Sequence, residues 1–299
     1  MYAETGYLPV LSARQECGII LAYILISNHR RVIVLHASGR PEWQLPKGVS
    51  RGVWQYANAE HIAASYDQYF SENRLFAFDQ DVLERHFDPP GLVADFGAGT
   101  GRALVALARR GFRGLAVDLS DAMLRIVAEK AQAEDLPIQC LRANLVELDC
   151  LDSRSVDYAV CLFSTLGMIR GRENRDRFLA HVRRILKPGG LFVLHVHNFW
   201  YNLYDPGGRR WLARQLRSAV LRGEVLRREV ELGDKYFHYR GIPQMFLHTF
   251  TQGELVRTLE RAGFRIEELI PLSVARQSPL RWPWLAGRFR ANGWIVVGG

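Results

Sequence analysis

One stretch of the sequence limits the fold more than any other. Residues 93–102 read VADFGAGTGR, and an apolar stretch typical of a helix follows them. This order predicts a buried strand that turns sharply on glycine into a helix. Glycines at alternate positions let the backbone approach a ligand closely, and the unpaired N–H groups at the start of a helix point towards it. The pattern therefore indicates a site for a nucleotide-like ligand.

The spacing of the glycines discriminates between two kinds of nucleotide site. The dinucleotide fingerprint is G-x-G-x-x-G, whereas Gly97, Gly99 and Gly101 follow the pattern G-x-G-x-G. Arg102 stands where the dinucleotide motif needs its third glycine. We therefore do not expect NAD or FAD as a ligand.

Further apolar runs repeat the alternation of strand and helix. One run ends at Asp118, the next leads to Asn144, and another ends near Phe163. Their spacing is that of βαβ units and predicts a Rossmann-like, doubly wound α/β fold with a mostly parallel sheet. The predicted strands after the first are residues 112–117, 138–141, 156–162 and 191–196.

Taken in order, these motifs resemble those of class I S-adenosylmethionine-dependent methyltransferases. In that family an acidic residue and G-x-G-x-G follow the first strand, an acid closes the second, and an acid or amide follows the third. The Leu-Lys-Pro-Gly-Gly run at residues 186–190 resembles the turn before the family's fifth strand. The resemblance implies a seven-stranded sheet with an antiparallel C-terminal strand, S-adenosylmethionine (SAM) as cofactor and S-adenosylhomocysteine (SAH) as product.

The resemblance also implies roles for single residues. Asp118 would take both ribose hydroxyls of SAM, a task that suits a carboxylate because it accepts two hydrogen bonds. Asn144 would face the adenine amino group, since an amide both donates and accepts. An alternative for Asp118 is the N-cap of the next helix, a role that Ser120 could equally take. The predicted cofactor-binding residues are Asp95, Gly97, Ala98, Gly99, Gly101, Asp118, Leu119, Met123, Asn144, Leu145 and Phe163.

A histidine and an asparagine close the fifth strand. Ligands of open α/β sheets bind beyond the carboxyl ends of the strands, so His197 and Asn198 are expected to border the substrate cavity. We predict them as catalytic residues, with His197 as a general base because imidazole titrates near ~6.5. The alternative is a hydrogen-bonded structural histidine. His195, one pleat earlier on the same face, is expected to belong to the core.

The remaining sequence predicts an extension and an insertion. Residues 1–60 form the extension, in which apolar runs at 18–26 and 32–35 flank a polar break and favour a hairpin. The first run is shorter than the ~20 residues of a transmembrane helix, so no membrane span is expected. Residues 61–299 form the methyltransferase domain, and residues 199–245 within it are expected to build a lid over the acceptor.

The cysteines bear on compartment and on metal binding. The four of them form no C-x-x-C pair and lack the spacing of metal ligands. We therefore expect reduced thiols, a cytoplasmic protein and no metal site.

The sequence offers two classes of methyl acceptor. The formal net charge is +8, and residues 276–290 carry four arginines interleaved with Trp282, Trp284 and Phe289, which would suit RNA. Residues 246–250 and 292–294 also resemble, weakly, wobble-uridine tRNA methyltransferases. However, many small-molecule members carry a similar H-x-F, and no separate RNA-binding module is visible. We rank a small-molecule acceptor first, tRNA second, and a non-catalytic SAM-binding regulator third.

Overall fold

A computed structural model of the protein describes residues 21–23, 42–70, 75–221, 231–276 and 278–299. The hairpin expected near the N-terminus lies outside this part of the chain, apart from strand β1 (Leu21–Tyr23). None of the described helices combines the length and the apolar character that crossing a membrane requires.

Short helices precede the core of the sheet. One turn of 3-10 helix at Glu42–Gln44 comes first. Ser50 starts the next helix, because its hydroxyl accepts a hydrogen bond from the backbone N–H of Val53 at 3.3 Å. The α-helices of this region are α1 (Arg51–Ala57), α2 (Glu60–Ala64), α3 (Tyr66–Tyr69) and α4 (Leu75–His86).

Strands and helices then alternate as the sequence predicts. The strands are mostly apolar, as expected of a sheet covered on both faces, and every residue of β2 is buried. The elements are β2 (Leu92–Phe96), α5 (Arg102–Ala108), β3 (Arg113–Asp118), α6 (Asp121–Ala133), β4 (Ile138–Arg142), β5 (Val156–Cys161), α7 (Thr165–Met168), α8 (Arg172–Ile185) and β6 (Leu186–His197).

The C-terminal third adds a hairpin and closes the sheet. A 3-10 helix at Phe199–Tyr204 leads into the insertion. Thr251 caps the helix after the hairpin, because its hydroxyl accepts a hydrogen bond from the Glu254 N–H at 3.2 Å. The elements are α9 (Pro206–Leu221), β7 (Asp234–Tyr239), β8 (Ile242–His248), α10 (Gln252–Arg261), β9 (Ile266–Pro271), α11 (Gly287–Arg290) and β10 (Gly293–Gly298).

The described strands form one large sheet in the order β1-β4-β3-β2-β5-β6-β10-β9, and β7 pairs with β8 in a separate two-stranded sheet. Strands β2 to β6 are parallel, whereas β10 runs antiparallel to β6 and β9. The predicted seven-stranded sheet is therefore confirmed, and β1 adds a short antiparallel strand beside β4. The strand order reverses at β2, and the carboxyl ends of β2 and β5 there create the crevice in which ligands of such sheets bind.

Apolar layers cover both faces of the sheet. On one face, the Phe96 and Phe178 rings lie 5.6 Å apart between β2 and α8. On the other, Phe87 stacks on Tyr158 at 4.3 Å. Strand β6 is longer than expected, since Leu186 pairs with Val156 before a register shift. These layers fix the strand ends that carry the site.

Candidate active site

The glycine turn between β2 and α5 forms one wall of a cavity. Gly97, Gly99 and Gly101 have φ angles of +84°, +54° and +77°, which glycine alone adopts readily. A Cβ on Gly97 would lie 2.4 Å from the Thr165 side chain, and one on Gly101 would lie 2.9 Å from Val127. A Cβ on Gly99 would have no described neighbour closer than 4.0 Å. Packing therefore requires glycine at 97 and 101, whereas Gly99 opens onto the cavity.

Asp118 lies at the end of β3, beside the glycine turn. Its Oδ2 accepts a hydrogen bond from the Gly99 N–H at 2.9 Å, and its Oδ1 accepts one from the Ser120 N–H at 2.8 Å. Burial raises the pKa of the carboxyl, while these donors oppose the rise by favouring the charged form. Ser120 is the N-cap of α6, since its hydroxyl accepts from the Met123 N–H at 3.4 Å. Asp118 therefore does not cap the helix, and it lines the cavity.

Asn144 lies after β4 and joins two segments of the cavity wall. Its Nδ2 donates to the Lys47 carbonyl at 3.1 Å and to Glu147 Oε2 at 3.0 Å. Its Oδ1 accepts from the Val146 N–H at 3.3 Å. The side chain thus holds the segment before α1 against the loop after β4, and an adenine contact would have to share these donors.

The turn after β5 has an unusual backbone. Phe163 and Ser164 both adopt positive φ, +56° and +63°, which costs energy for residues with a Cβ. Hydrogen bonds hold the turn: Ser164 N–H donates to the His195 carbonyl at 3.0 Å, and the Ser164 hydroxyl accepts from the His197 N–H at 3.2 Å. Phe163 packs against Phe70, with ring centroids 5.5 Å apart. The strained turn therefore places an aromatic ring at the carboxyl end of β5.

The structure brings most of the predicted cofactor residues to one cavity. Three of them do not line it. Asp95 is 4% exposed, and burial raises the pKa of its carboxyl to about 7. Ala98 packs into the core, and Gly101 is the N-cap residue of α5. The residues that do line the cavity are Gly97, Gly99, Asp118, Leu119, Met123, Asn144, Leu145 and Phe163.

The two predicted catalytic residues line the cavity in different ways. His197 is half-buried, and burial together with the charge of Arg276 holds the pKa of its imidazole well below the ordinary value. The Asn198 amide donates to two backbone carbonyls of the α11 region, at 2.7 and 2.9 Å, and accepts from the Trp200 N–H at 3.0 Å. The hydrogen bonds of the Asn198 side chain are therefore used to hold neighbouring backbone segments together. His195 is fully buried in the core, as expected, and burial lowers its pKa to about 3.

Aromatic side chains from distant parts of the chain line the other half of the cavity. Tyr56 of α1 lies 6.1 Å from Tyr239 of β7 between ring centroids. Helix α1 and β8 are in close contact, since a Cβ on Gly52 would lie 1.9 Å from the Gln244 carbonyl oxygen. Sequence reasoning did not assign α1 to the site. Its one sequence signal was the run of aromatic residues that begins near Tyr56 and continues through α3.

The cavity has a volume of 510 Å³ and is continuous from the glycine turn to these aromatic residues. That volume is within the usual range for sites that bind small molecules and cofactors. Among the described residues, no three histidine, cysteine, aspartate or glutamate side chains come together as ligands for a metal.

The arginines of residues 276–290 do not share one surface. Arg276 lines the cavity, whereas Arg290 donates to the carbonyl of Leu285 at 3.0 Å within its own loop. Arg281 and Arg288 are exposed, and each lies over the ring of the aromatic residue that follows it, at 4.3 and 4.8 Å.

Comparison with known proteins agrees with this geometry. A family model described as a methyltransferase domain matches residues 93–190. A SAM-dependent methyltransferase from Methanosarcina mazei shares the fold with a TM-score of 0.57 at 20% identity, over 73% of this chain and 95% of that one. Residues 93–190 therefore match a methyltransferase domain, and the fold is that of SAM-dependent methyltransferases. The family accounts for the order of the motifs and for the position of the cavity at the reversal of strand order.

Two further methyltransferases show how far the similarity extends. The demethylmenaquinone methyltransferase of Clavibacter sepedonicus is 30% identical over 142 residues, which are 45% of this chain and 54% of that protein. A Burkholderia thailandensis 1,6-didemethyltoxoflavin-N1-methyltransferase, solved with its acceptor and SAH, has a TM-score of 0.55 at 17% identity, over 85% and 92% of the two chains. The chain spans about half the length of the curated relatives that it matches.

Proposed function

We propose that this protein transfers the methyl group of SAM to a small-molecule acceptor. One observation carries the proposal: a single cavity of 510 Å³ joins the glycine turn and Asp118 to a chamber lined by aromatic side chains. A cofactor and a small acceptor would meet inside it. The demethylmenaquinone and didemethyltoxoflavin methyltransferases are named for small acceptors, which supports the same ranking.

The residues at the glycine turn fit SAM. Gly99 has room for a ligand where a Cβ would stand, and Asp118 presents a carboxylate that already accepts hydrogen bonds. Leu119, Met123 and Leu145 provide apolar surface for a purine ring. When bound there, SAM would supply an activated methyl group on a sulfonium, which would pass to the acceptor atom and leave SAH as product.

The protein itself would align the acceptor with the methyl group, exclude water from the cavity and remove one proton from the acceptor. Because the donor is already activated, orienting the acceptor in line and excluding water account for most of the required rate enhancement. His197 is our candidate to take the acceptor's proton, since its depressed pKa keeps the imidazole neutral at physiological pH. The same depressed pKa makes it a weak base, which suits an acceptor that itself loses its proton readily.

The insertion and α1 would together enclose the acceptor. Strands β7 and β8 provide Phe237, Tyr239 and Phe246 to the chamber, while α1 provides Val53 and Tyr56. We therefore propose residues 199–245 as the lid. We also propose that the functional domain begins before residue 51, ahead of the predicted boundary at residue 61.

A tRNA acceptor is the alternative, and the exposed Arg281–Trp282 pair and the exposed Arg288 favour it. Two assays separate the classes: transfer of labelled methyl from SAM into a metabolite extract, and transfer into bulk tRNA. We expect labelled small molecules and unlabelled tRNA. Label in tRNA alone would replace the small-molecule proposal, and label in neither would favour a SAM-binding regulator.

A further inference from the structure

Two cationic side chains face the chamber beside His197. Both Arg276 and Lys235 line the cavity; Arg276 lies in the loop after β9, and Lys235 lies in strand β7. We propose that they form an anion-binding subsite for the carboxylate of an aromatic acid, which is the acceptor class of this enzyme. This inference rests on the proposed function and specifies the substrate of the same cavity.

Arg276 has a guanidinium without a counter-ion. It is half-buried, and no described residue forms an ion pair or a side-chain hydrogen bond with it. Its backbone is fixed in the left-handed region at φ +58°, where its N–H donates to the Ser273 carbonyl at 2.9 Å. Burying a cation without a partner is costly, and a guanidinium matches a carboxylate in a two-pronged geometry. The position is therefore built to receive an anion.

Lys235 retains spare donors. Its Nζ donates to Asn202 Oδ1 at 2.8 Å, and an ammonium has three donors. Asp205 is the acid that faces the same region, but it is exposed, forms no described ion pair with Lys235, and accepts from the Gly208 N–H at 2.7 Å. Burial is the main cause of the lowered pKa of His197, and the charges of Arg276 and Lys235 add to it, so both cations lie near that imidazole.

The charge and the lining select the ligand. Two cations and the carboxylate of Asp205 leave one net positive charge, which matches a singly charged carboxylate better than a phosphate dianion. The same cavity is also lined by the rings of Tyr56, Phe237 and Phe246. Flat apolar groups pack well against such rings. An aromatic body with a carboxylate at one end would satisfy both the cations and the rings.

Calorimetry with three probes tests the subsite on the full chain saturated with SAH. The probes are benzoate, its neutral analogue benzamide, and phenyl phosphate. We expect benzoate to bind most tightly, and Arg276→Gln or Lys235→Gln to weaken benzoate roughly tenfold or more while leaving benzamide and SAH unaffected. Arg281→Gln, an exposed arginine of the same segment, is the matched control and should change nothing. Arg276→Lys keeps the charge and should retain part of the benzoate affinity.

An NMR titration gives a second readout that a purely structural arginine would not move. Benzoate should raise the pKa of the His197 imidazole, because it neutralises the cations that depress it, and benzamide should not. Equal affinity for benzoate and benzamide, or tighter binding of phenyl phosphate, would overturn the inference. So would an Arg276→Gln variant that melts like the wild type and still binds benzoate normally. Failure to bind SAH would instead refute the proposed function.

Discussion

The carboxylate of Asp118 and the backbone N–H of Gly99 are joined by a hydrogen bond of 2.9 Å. This bond ties the carboxyl end of β3 to the glycine turn after β2, at the reversal of strand order. The acid and the turn thus form one preorganised wall of the cavity. Two substitution experiments separate what each contributes.

Replacing Asp118 with alanine should weaken SAM binding by roughly 1.5–3 kcal/mol, the value of hydrogen bonds to a charged acceptor. The fold should survive, because Ser120 and not Asp118 caps α6. Calorimetry with SAM checks the affinity, and thermal unfolding checks the fold. Asp121→Ala, in the same turn but outside the cavity, is the control. If Asp118→Ala bound SAM with unchanged affinity, the carboxylate would only support the glycine turn and would not contact the cofactor.

The glycines at 97 and 99 should respond differently to alanine. Gly97→Ala should lower the unfolding temperature markedly, because its Cβ would lie 2.4 Å from Thr165. Gly99→Ala should lower the free energy of unfolding by only about 1–2 kcal/mol, because a residue with a Cβ is less stable in the left-handed conformation. It should nevertheless weaken SAM binding, because the added methyl group would project into the cavity. Thermal melts and SAM titrations on both variants provide the comparison. If Gly99→Ala destabilised the protein as much as Gly97→Ala and left SAM affinity unchanged, the three glycines would serve only the backbone turn and not the ligand.

His248 should make stability depend on pH. Burial alone would lower its pKa, but Asp234 and Glu254, 2.7 and 2.9 Å from the two ring nitrogens, raise it. Because the pKa of His248 is higher in the folded state, protonated His248 stabilises the folded protein fully at pH values below the unfolded-state pKa of ~6.5. This stabilisation is lost as the pH rises through the folded-state pKa. His248→Gln should cost about 3 kcal/mol at pH ~6 and less at high pH. Urea unfolding at several pH values checks this, with the exposed His61→Gln as control; a cost independent of pH would contradict it.

The same histidine explains the H-x-F motif of residues 248–250. Its ring lies 4.7 Å from the Phe250 ring and bridges β7 to α10. It does not line the cavity, so in this chain the motif fixes the insertion to the core. A motif shared by tRNA and small-molecule enzymes need not indicate the acceptor.

Binding to tRNA should be weak and unselective. Only Arg281 and Arg288 of the four clustered arginines are exposed, so few phosphates can be neutralised there. Filter binding across a salt series should give a shallow slope, and changing both arginines to glutamine should reduce it further. A steep slope together with methyl transfer into tRNA, both lost in that double variant, would favour the RNA alternative.

Local sequence was enough for the half of the site built from successive strand ends. The strand, glycine turn and helix of residues 93–108 are contiguous, so Gly99 and Asp118 could be located from periodicity and spacing. Tyr56 and Tyr239 could not, because they meet only through the packing of α1 against a hairpin almost two hundred residues away. The sequence places Arg276 in the arginine-rich stretch that would suit the tRNA alternative, because composition does not reveal which way a loop residue faces. It points into the cavity instead.

The most direct test of the account is calorimetric titration of the full chain with SAH, using NAD as the comparison ligand. We expect SAH to bind saturably at one site per chain, with affinity strongly weakened in Asp118→Ala and unaffected in Asp121→Ala, and NAD to give no heat of binding. Binding of NAD with no binding of SAH would contradict it.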